Sequence, residues 1–176
     1  MGIAAGWQDR IVQAQGCAVL VDAGDMSTSI DGRAVPAVRR LRGFAVDAVI
    51  GWRASDRENS GVYHGALHGR AADGAVTDGM LRLGELARRA ATSVAGGDVA
   101  GLRELVDASW RTRCDSAPLK PRHAQLVETV RATGVVATSP GSGGSVVALP
   151  ADDGAAAAAI AALRAVGARA VSVQLA

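Results

Sequence analysis

The chain has 176 residues, 49 % of them hydrophobic and 20 % charged, which is the composition of a globular protein with one domain or two small lobes. Its 19 basic and 17 acidic side chains leave a net charge of only +2, far from the dense positive surface that binding to nucleic acid requires. The basic run Arg39, Arg40 and Arg42 has no interleaved aromatic residues for base stacking. We therefore expect a solvated surface there and no nucleic-acid partner.

Cysteine use and hydropathy exclude several further classes. Cys17 and Cys114 are far apart and lack metal-binding spacing, so reduced thiols in a cytosolic protein are expected rather than a disulfide scaffold or a zinc site. Residues 2–10 do not have the pattern of a signal peptide. The alanine-rich run 154–163 is too short to cross a bilayer. We expect a cytoplasmic protein without a membrane partner.

The first half of the chain has few regular elements, with long polar spans between them. Its periodicity and turn residues predict, in order, a helix over 3–15 ended by Gly16, a strand over 17–21 stopped by residues 22–25, an irregular or edge segment over 25–43, a strand over 46–54, and a loop over 55–78 with a short helix near 61–67. Such a half is a poor independent domain, which suggests part of a larger lobe.

The second half alternates clear helical and strand patterns. It predicts a helix over 79–94, capped by Thr77 or Asp78 and stopped by Gly96-Gly97, and a helix over 99–112 capped by Asp98. A helix introduced by Pro118 and Pro121 and ending at Gly134, strands over 135–138 and 146–149, a helix over 152–166 and a strand over 170–175 follow. This order is typical of an α+β fold, with helices on one face of an antiparallel sheet.

The sharpest motif is the glycine-rich bend between the two predicted strands, Thr138-Ser-Pro-Gly-Ser-Gly-Gly-Ser145. Gly141, Gly143 and Gly144 would let backbone N–H groups approach a ligand closely, and Ser142 adds a hydroxyl donor. Phosphate oxygens suit such donors. An ordinary hairpin turn would have the same pattern, so both interpretations stay open.

Two further segments carry chemistry-bearing side chains. Asp9, followed by Arg10, could be a carboxylate kept ionised by a neighbouring positive charge and able to accept a proton; an ordinary surface pair is the alternative. Arg53 follows a predicted strand and could bind an anionic group. His64 lies in the segment beginning at Ser60, and a lone histidine in a loop is usually neither a base nor a ligand.

Taken together and in this order, these segments resemble the GHMP kinases, the family of galactokinase, homoserine, mevalonate and phosphomevalonate kinases, and most of all sugar-1-kinases of the glucuronokinase type. GIAAGWQDRIVQAQGCAVLVD resembles the family pattern G-x-x-x-G-x-Q-D-R-x-x-Q-x-x-G-G-x-x-x-M-D. VIGWRASDRENSGVYH is similar to a strand followed by an S-G-K-x-H turn, and ATSPGSGGSVVAL to the glycine motif F-T-G-S-G-G-A-V-V-A.

The resemblance implies an ATP- and Mg²⁺-dependent kinase acting on a sugar or sugar acid. Asp9 matches the family's catalytic carboxylate. The glycine motif (Gly141, Ser142, Gly143 and Gly144) matches the segment near the transferred phosphate. Arg10, Arg53 and Ser60 match positions expected to bind substrate. The chain departs from the family at Val62, where Lys is expected, at Cys17, and at residues 109–111, where the relatives have Asn-Phe-Asp.

The fold implied is α+β: residues 1–76 would be a partial N-terminal lobe, a ribosomal protein S5 domain 2-like remnant, and residues 77–176 a ferredoxin-like C-terminal lobe. No segment matches the family's nucleotide loop P-x-x-x-G-L-G-S-S, which lies upstream in relatives. A truncated gene, a split gene completed by a partner chain and a fragment are all open. The alternative is a non-catalytic remnant that binds a protein or a small ligand or associates with itself.

Overall fold

A computed structural model describes residues 7–28, 32, 34–42, 45–56, 60–70 and 72–175, apart from the side chains of Trp7, Thr28 and Ser60. The helices are α1 (Trp7–Gln15), α2 (Ser60–His68), α3 (Gly74–Gly96), α4 (Val99–Ser116), α5 (Pro121–Arg131) and α6 (Asp153–Ala165), with a 3-10 turn at Ala54–Asp56. The strands are β1 (Val19–Thr28), β2 (Ala34–Arg40), β3 (Val46–Trp52), β4 (Val136–Thr138), β5 (Ser145–Leu149) and β6 (Arg169–Leu175).

A four-stranded sheet with the order β4-β5-β3-β6 forms the centre of the fold. All neighbours in it are antiparallel, and Val49 of β3 lies opposite Ala148 of β5 and Ser172 of β6. Strands and helices follow one another in the ferredoxin-like order, with β3 as the first strand. The expected α+β fold is therefore confirmed.

The core lies between this sheet and helices α5 and α6. Leu126, Val127 and Val130 of α5 and Leu163 of α6 are fully buried against the inward side chains of the sheet. Gly51 of β3 allows α6 to come close, since a Cβ there would be 2.6 Å from Leu163 Cδ1. Apolar burial of this kind is the main source of stability for the sheet and its helices.

The proposed division between residues 76 and 77 stays a prediction. Strand β3, on the N-terminal side of that division, is hydrogen-bonded between β5 and β6 on the other side. Helix α3 runs through both residues. The ferredoxin-like sheet thus draws one of its central strands from the first half of the chain.

Strands β1 and β2 form a separate antiparallel ribbon. The prediction that the first strand stops at residues 22–25 was wrong, because the register shifts between Asp22 and Met26 and the intervening residues form an irregularity within the strand. Gly24 N–H donates to Asp22 Oδ1 at 2.9 Å inside it. The segment over 34–40, expected to be irregular or an edge, is a strand whose one partner in the described chain is β1.

The helix boundaries correct a second prediction. Helix α3 begins at Gly74 rather than near residue 79, because Asp73 is its N-cap and accepts a hydrogen bond from Ala75 N–H at 3.1 Å. Thr77 and Asp78 lie inside the helix. Gly97, at φ +69°, ends α3, and Asp98 caps α4 by accepting from Gly101 N–H at 2.8 Å, both as predicted.

Candidate functional site

A cavity of about 460 Å³ opens between α1, α2, the facing surfaces of α3 and α4, and the glycine turn that joins β4 to β5. Its lining combines one carboxylate, one imidazole, one guanidinium and several apolar side chains. The lining residues are Gln8, Asp9, Tyr63, His64, Leu67, Met80, Leu83, Arg113, Ala117, Pro140, Gly141 and Ser142.

The cavity brings together residues that are far apart in the sequence. Asp9, the expected catalytic carboxylate, lines it from α1, and Gly141 and Ser142 of the expected phosphate-binding motif line it from the turn. His64 lies on α2, half-buried, with its ring edge-on to Tyr63 at 5.8 Å between centroids. The site therefore places a carboxylate and a glycine turn around one space of small-molecule size.

Three carbonyl groups in and beside the glycine turn accept hydrogen bonds from the protein. The Arg113 guanidinium donates to the carbonyl oxygens of Ser139, at 3.3 Å, and of Gly141. The backbone N–H of Arg53 donates to the carbonyl oxygen of Gly144 at 3.3 Å. By contrast, within the described part of the chain, the N–H groups of residues 141–144 donate to no other group. These N–H groups are therefore the hydrogen-bonding capacity that the turn has left for a ligand.

Two glycines of the turn are required by close packing. Gly143 has φ +122°, and a Cβ there would lie 2.0 Å from His123 Nδ1. Gly144 has φ +79°, and its Cβ would lie 2.9 Å from the carbonyl oxygen of Asp56. His123 is only 2 % exposed. Burial, together with the positive charge of Arg122, lowers the pKa of His123, which keeps the imidazole neutral behind the turn.

Arg53 is held away from the cavity, which does not include it among its lining residues. Its Nη2 donates to the carbonyl oxygen of Arg122 at 2.9 Å and to Gln125 Oε1 at 3.2 Å. Its Nε forms an ion pair at 2.9 Å with the buried carboxylate of Asp56, although the two atoms are not aligned as a hydrogen bond. Arg53 thus connects the end of β3 to α5, and the geometry gives no support to the predicted contact with substrate.

The other positions singled out in the sequence lie on α1, α2 and α4. Arg10 is exposed on α1 beside Asp9 and is not a lining residue. Ser60 begins α2, and its side chain lies outside the described residues. Val62, which replaces the expected lysine, is 62 % exposed. Trp110, at one of the departing positions, is buried, and its Nε1 donates to Glu128 Oε1 at 2.7 Å.

Tyr63 and Arg113 are the site residues that the sequence did not reveal as a pair. Arg113 Nη2 donates to the Tyr63 hydroxyl at 3.3 Å, and the guanidinium carbon lies 5.4 Å from the centre of the Tyr63 ring. The Tyr63 hydroxyl donates in turn to the carbonyl oxygen of Ala117 at 3.1 Å. In the sequence, Tyr63 lies in the short helix predicted near 61–67 and Arg113 directly follows the helix predicted over 99–112, and neither position indicates a contact between the two side chains.

The described residues contain neither a cluster of metal-ligating side chains nor a helix able to span a membrane. Among the described residues there is no cluster of three or more His, Cys, Asp or Glu side chains arranged to hold a metal ion. No helix in the same part of the chain combines the length and the apolar character needed to span a membrane.

Comparison with solved structures gives the same fold in several kinases. Phosphomevalonate kinase of Streptococcus pneumoniae, in complex with phosphomevalonate and AMPPNP, is similar over 97 % of this chain and 56 % of its own, with a TM-score of 0.79 and 13 % identity. The Lin0012 protein from Listeria innocua matches over 81 % and 44 % of the respective chains, with a TM-score of 0.68 and 13 % identity. Mevalonate kinase of L. major, in complex with R-mevalonate, matches over 80 % and 44 %, with a TM-score of 0.61 and 18 % identity.

The chain spans about half the length of these similar structures. At such identities the likeness establishes the fold alone, and no curated protein matches the sequence significantly. The family model described as "GHMP kinases C terminal" matches residues 85–169, which include α4, α5, the glycine turn and α6. Residues 85–169 are therefore similar to the C-terminal region of the GHMP kinases.

Proposed function

We propose that this chain forms the acceptor side of an ATP-dependent GHMP-type kinase, which phosphorylates a hydroxyl group of a small polar molecule such as a sugar or a sugar acid. One observation carries the proposal. The turn at 141–144 has the carbonyl groups of Gly141 and Gly144 bonded to protein donors, its N–H groups donate to no other group in the described residues, and it borders the same cavity as Asp9. Free backbone N–H groups suit a phosphoryl group, and a nearby carboxylate suits the proton of an attacking hydroxyl.

In this mechanism Asp9 accepts the proton of the acceptor hydroxyl as its oxygen bonds to the γ-phosphorus of ATP. The bond between that phosphorus and the β–γ bridging oxygen breaks, and ADP leaves with the electron pair. The N–H groups of the glycine turn stabilise negative charge on the moving phosphoryl group. Phosphoryl transfer needs little more from a protein than positioning and charge stabilisation, so this small set of groups is sufficient on the acceptor side.

The nucleotide needs a further segment. The 176 residues contain no P-x-x-x-G-L-G-S-S loop, and the chain covers 56 % of the similar phosphomevalonate kinase. We propose that another part of the protein, or a partner chain, holds the ATP phosphates. Mg²⁺ would neutralise phosphate charge when bound. The nucleotide phosphates would be its main ligands, and Asp9 stays available as the proton acceptor.

The test combines nucleotide binding with an acceptor screen. Calorimetry with Mg-ATP is run on this chain alone and on the chain mixed with a candidate nucleotide-binding segment encoded beside it. The mixture is then offered sugars, sugar acids, mevalonate and phosphomevalonate as acceptors. We expect ATP to bind only to the mixture and phosphate to appear on a sugar or sugar acid. Turnover of mevalonate alone would support kinase activity but contradict a sugar or sugar acid as the acceptor.

Asp9→Asn is the decisive variant for the mechanism. It removes the proton acceptor while keeping the size of the side chain, so kcat should fall by about 10²- to 10⁴-fold. Asp25→Asn, an exposed carboxylate on β1 that does not line the cavity, is the matched control and should keep full activity. Equal activity of both variants would reject the role of Asp9. No turnover and no ATP binding in any mixture would favour a non-catalytic binding module instead.

A further inference from the structure

Arg113 lines the cavity beside the glycine turn and forms hydrogen bonds with the turn at more than one carbonyl group. It projects from the last turn of α4, and its guanidinium reaches the carbonyl oxygens of both Ser139 and Gly141. The same guanidinium donates to the Tyr63 hydroxyl, on α2. One side chain therefore connects α4, α2 and the turn at the rim of the cavity.

The contact with Gly141 fixes the direction of a neighbouring N–H group. In a trans peptide the C=O and the following N–H point in opposite directions, and the chain has no cis peptide among its described residues. When the Gly141 carbonyl points toward Arg113, the N–H of Ser142 must point away from it. That N–H donates to no other group in the described structure. A positive charge on the carbonyl side also polarises the peptide and strengthens the N–H as a donor.

The contact with Ser139 acts on a peptide that carries no N–H. Its carbonyl precedes Pro140, so Arg113 satisfies an acceptor there without creating a donor. The Arg113 Nε–H is buried and has no hydrogen-bond partner among the described residues. A buried unpaired donor destabilises a fold, and such exceptions concentrate where function demands a particular geometry. The side chain is thus directed to the turn carbonyls although one of its own donors goes unmatched.

From this geometry we infer that Arg113 is a positioning residue for the anion-binding turn: it binds the Ser139 and Gly141 carbonyls and so presents the Ser142 N–H to a phosphoryl group. The inference deepens the proposed function and rests on it for the identity of the anion. Arg113 also lines the cavity, and the effect inferred for it on the anion is exerted through the turn. A lysine cannot replace it, since an ammonium group is a point donor and cannot reach two separated carbonyls and a hydroxyl in one plane.

The test uses the full chain and two readouts. The first is the amide NMR signal of Ser142 and its hydrogen-exchange rate in the free protein. The second is the Kd for tripolyphosphate. Arg113→Gln should shift the Ser142 amide and weaken tripolyphosphate binding by about tenfold, the factor that corresponds to one hydrogen bond to a charged group. Ethylguanidinium added to Arg113→Ala should restore the wild-type Ser142 signal, which a merely structural role would not predict.

Arg111→Gln is the matched control on the same helix. Arg111 is 73 % exposed and pairs with Asp107 at 2.8 Å, so both readouts should stay at wild-type values. A wild-type Ser142 signal and Kd in Arg113→Gln would overturn the inference. If that variant does not fold, Arg113→Lys replaces it, and unchanged readouts there have the same meaning. If the wild-type chain binds no tripolyphosphate, the proposed anion site fails, while the Ser142 signal still decides the role of Arg113.

Discussion

The two walls of the cavity are held in place by different forces. The glycine turn belongs to the central sheet, and the buried imidazole of His123 packs directly behind it. Asp9 belongs to α1, which precedes the β1–β2 ribbon, and within the described part of these elements Pro36 is the one buried residue. The ribbon is joined to α3 by an ion pair between Asp22 and Arg88, and to α1 by a hydrogen bond from Arg40 to Gln15.

The two walls therefore differ in rigidity. Close packing fixes the N–H groups that would meet a phosphoryl group, because a turn packed against His123 and Asp56 cannot shift without a clash or a cavity. Exposed charges and hydrogen bonds hold the wall with the carboxylate, and such contacts contribute little to stability. The conformation of the turn should therefore not change with salt concentration, while the position of Asp9 should respond to salt and pH.

The largest effect is expected from core truncation. Leu126→Ala removes a fully buried side chain between α5 and the sheet, and should lower the free energy of unfolding by about 2–5 kcal/mol. Val38→Ala, on the ribbon, truncates a side chain that is 40 % exposed and should cost less than about 1 kcal/mol. Urea denaturation followed by circular dichroism measures both. Equal losses would show that the ribbon is as well packed as the sheet.

A smaller effect is expected from a methyl group in the turn. Gly143→Ala should destabilise the protein by about 1–3 kcal/mol, since φ is +122° and the new Cβ would lie 2.0 Å from His123 Nδ1. Gly141→Ala is the matched control, because its Cβ would meet nothing within 4 Å and its φ is not positive. Thermal unfolding and tripolyphosphate binding are the measurements. If Gly141→Ala loses tripolyphosphate binding and Gly143→Ala does not, the hypothesis that packing against His123 fixes the turn is wrong.

The smallest effect concerns the ion pair on the ribbon. The Arg88 guanidinium and the Gly24 N–H hold the pKa of Asp22 below its usual range. A lowered pKa in the folded state means that the pair stabilises the ribbon above about pH 4, the ordinary value, and that this contribution is lost as the pH falls through the lowered pKa. Arg88→Met should raise the pKa of Asp22 and speed amide exchange in β1 at pH 7, with little change at a pH below the lowered pKa of Asp22, where the carboxyl group is protonated.

Carboxyl NMR titration of Asp22 measures this prediction directly. Glu85→Gln is the control, because Glu85 lies 3.7 Å from Arg88 and is largely exposed, so its loss should leave Asp22 nearly unchanged. Identical titration of Asp22 in the wild type and in Arg88→Met would mean that another group attaches the ribbon.

The sequence predicted the elements whose signals are local. Asp98 as a cap, Gly97 as a stop and the hairpin around 141–144 follow from single residues with strong backbone preferences, and the structure has them where expected. The start of α3 was missed because Asp73 and Asp78 are both acceptable caps, and which of them is used depends on the preceding turn, closed in part by the Arg70–Asp73 ion pair.

The site was only partly predictable for a related reason. Asp9, Gly141 and Ser142 were predicted from motifs, and they line one cavity, while their roles stay predictions. Arg53 looked the same in sequence as a substrate-binding arginine, but its partners Asp56, Arg122 and Gln125 are brought to it by the packing of α5. Arg113 acquires its contacts with the turn through tertiary structure alone, so no spacing rule could have selected it.

The position of β3 in the sheet has a consequence for how the chain reaches its native state. β3 is the first strand of the sheet to leave the ribosome, and its two neighbours, β5 and β6, are made late. Pairings between strands so distant in sequence raise the contact order and slow folding, because the long loop must close before the contacts form. During synthesis both edges of β3 stay unpaired until β5 and β6 have been made. Its apolar residues are then exposed, and we expect chaperones to bind them.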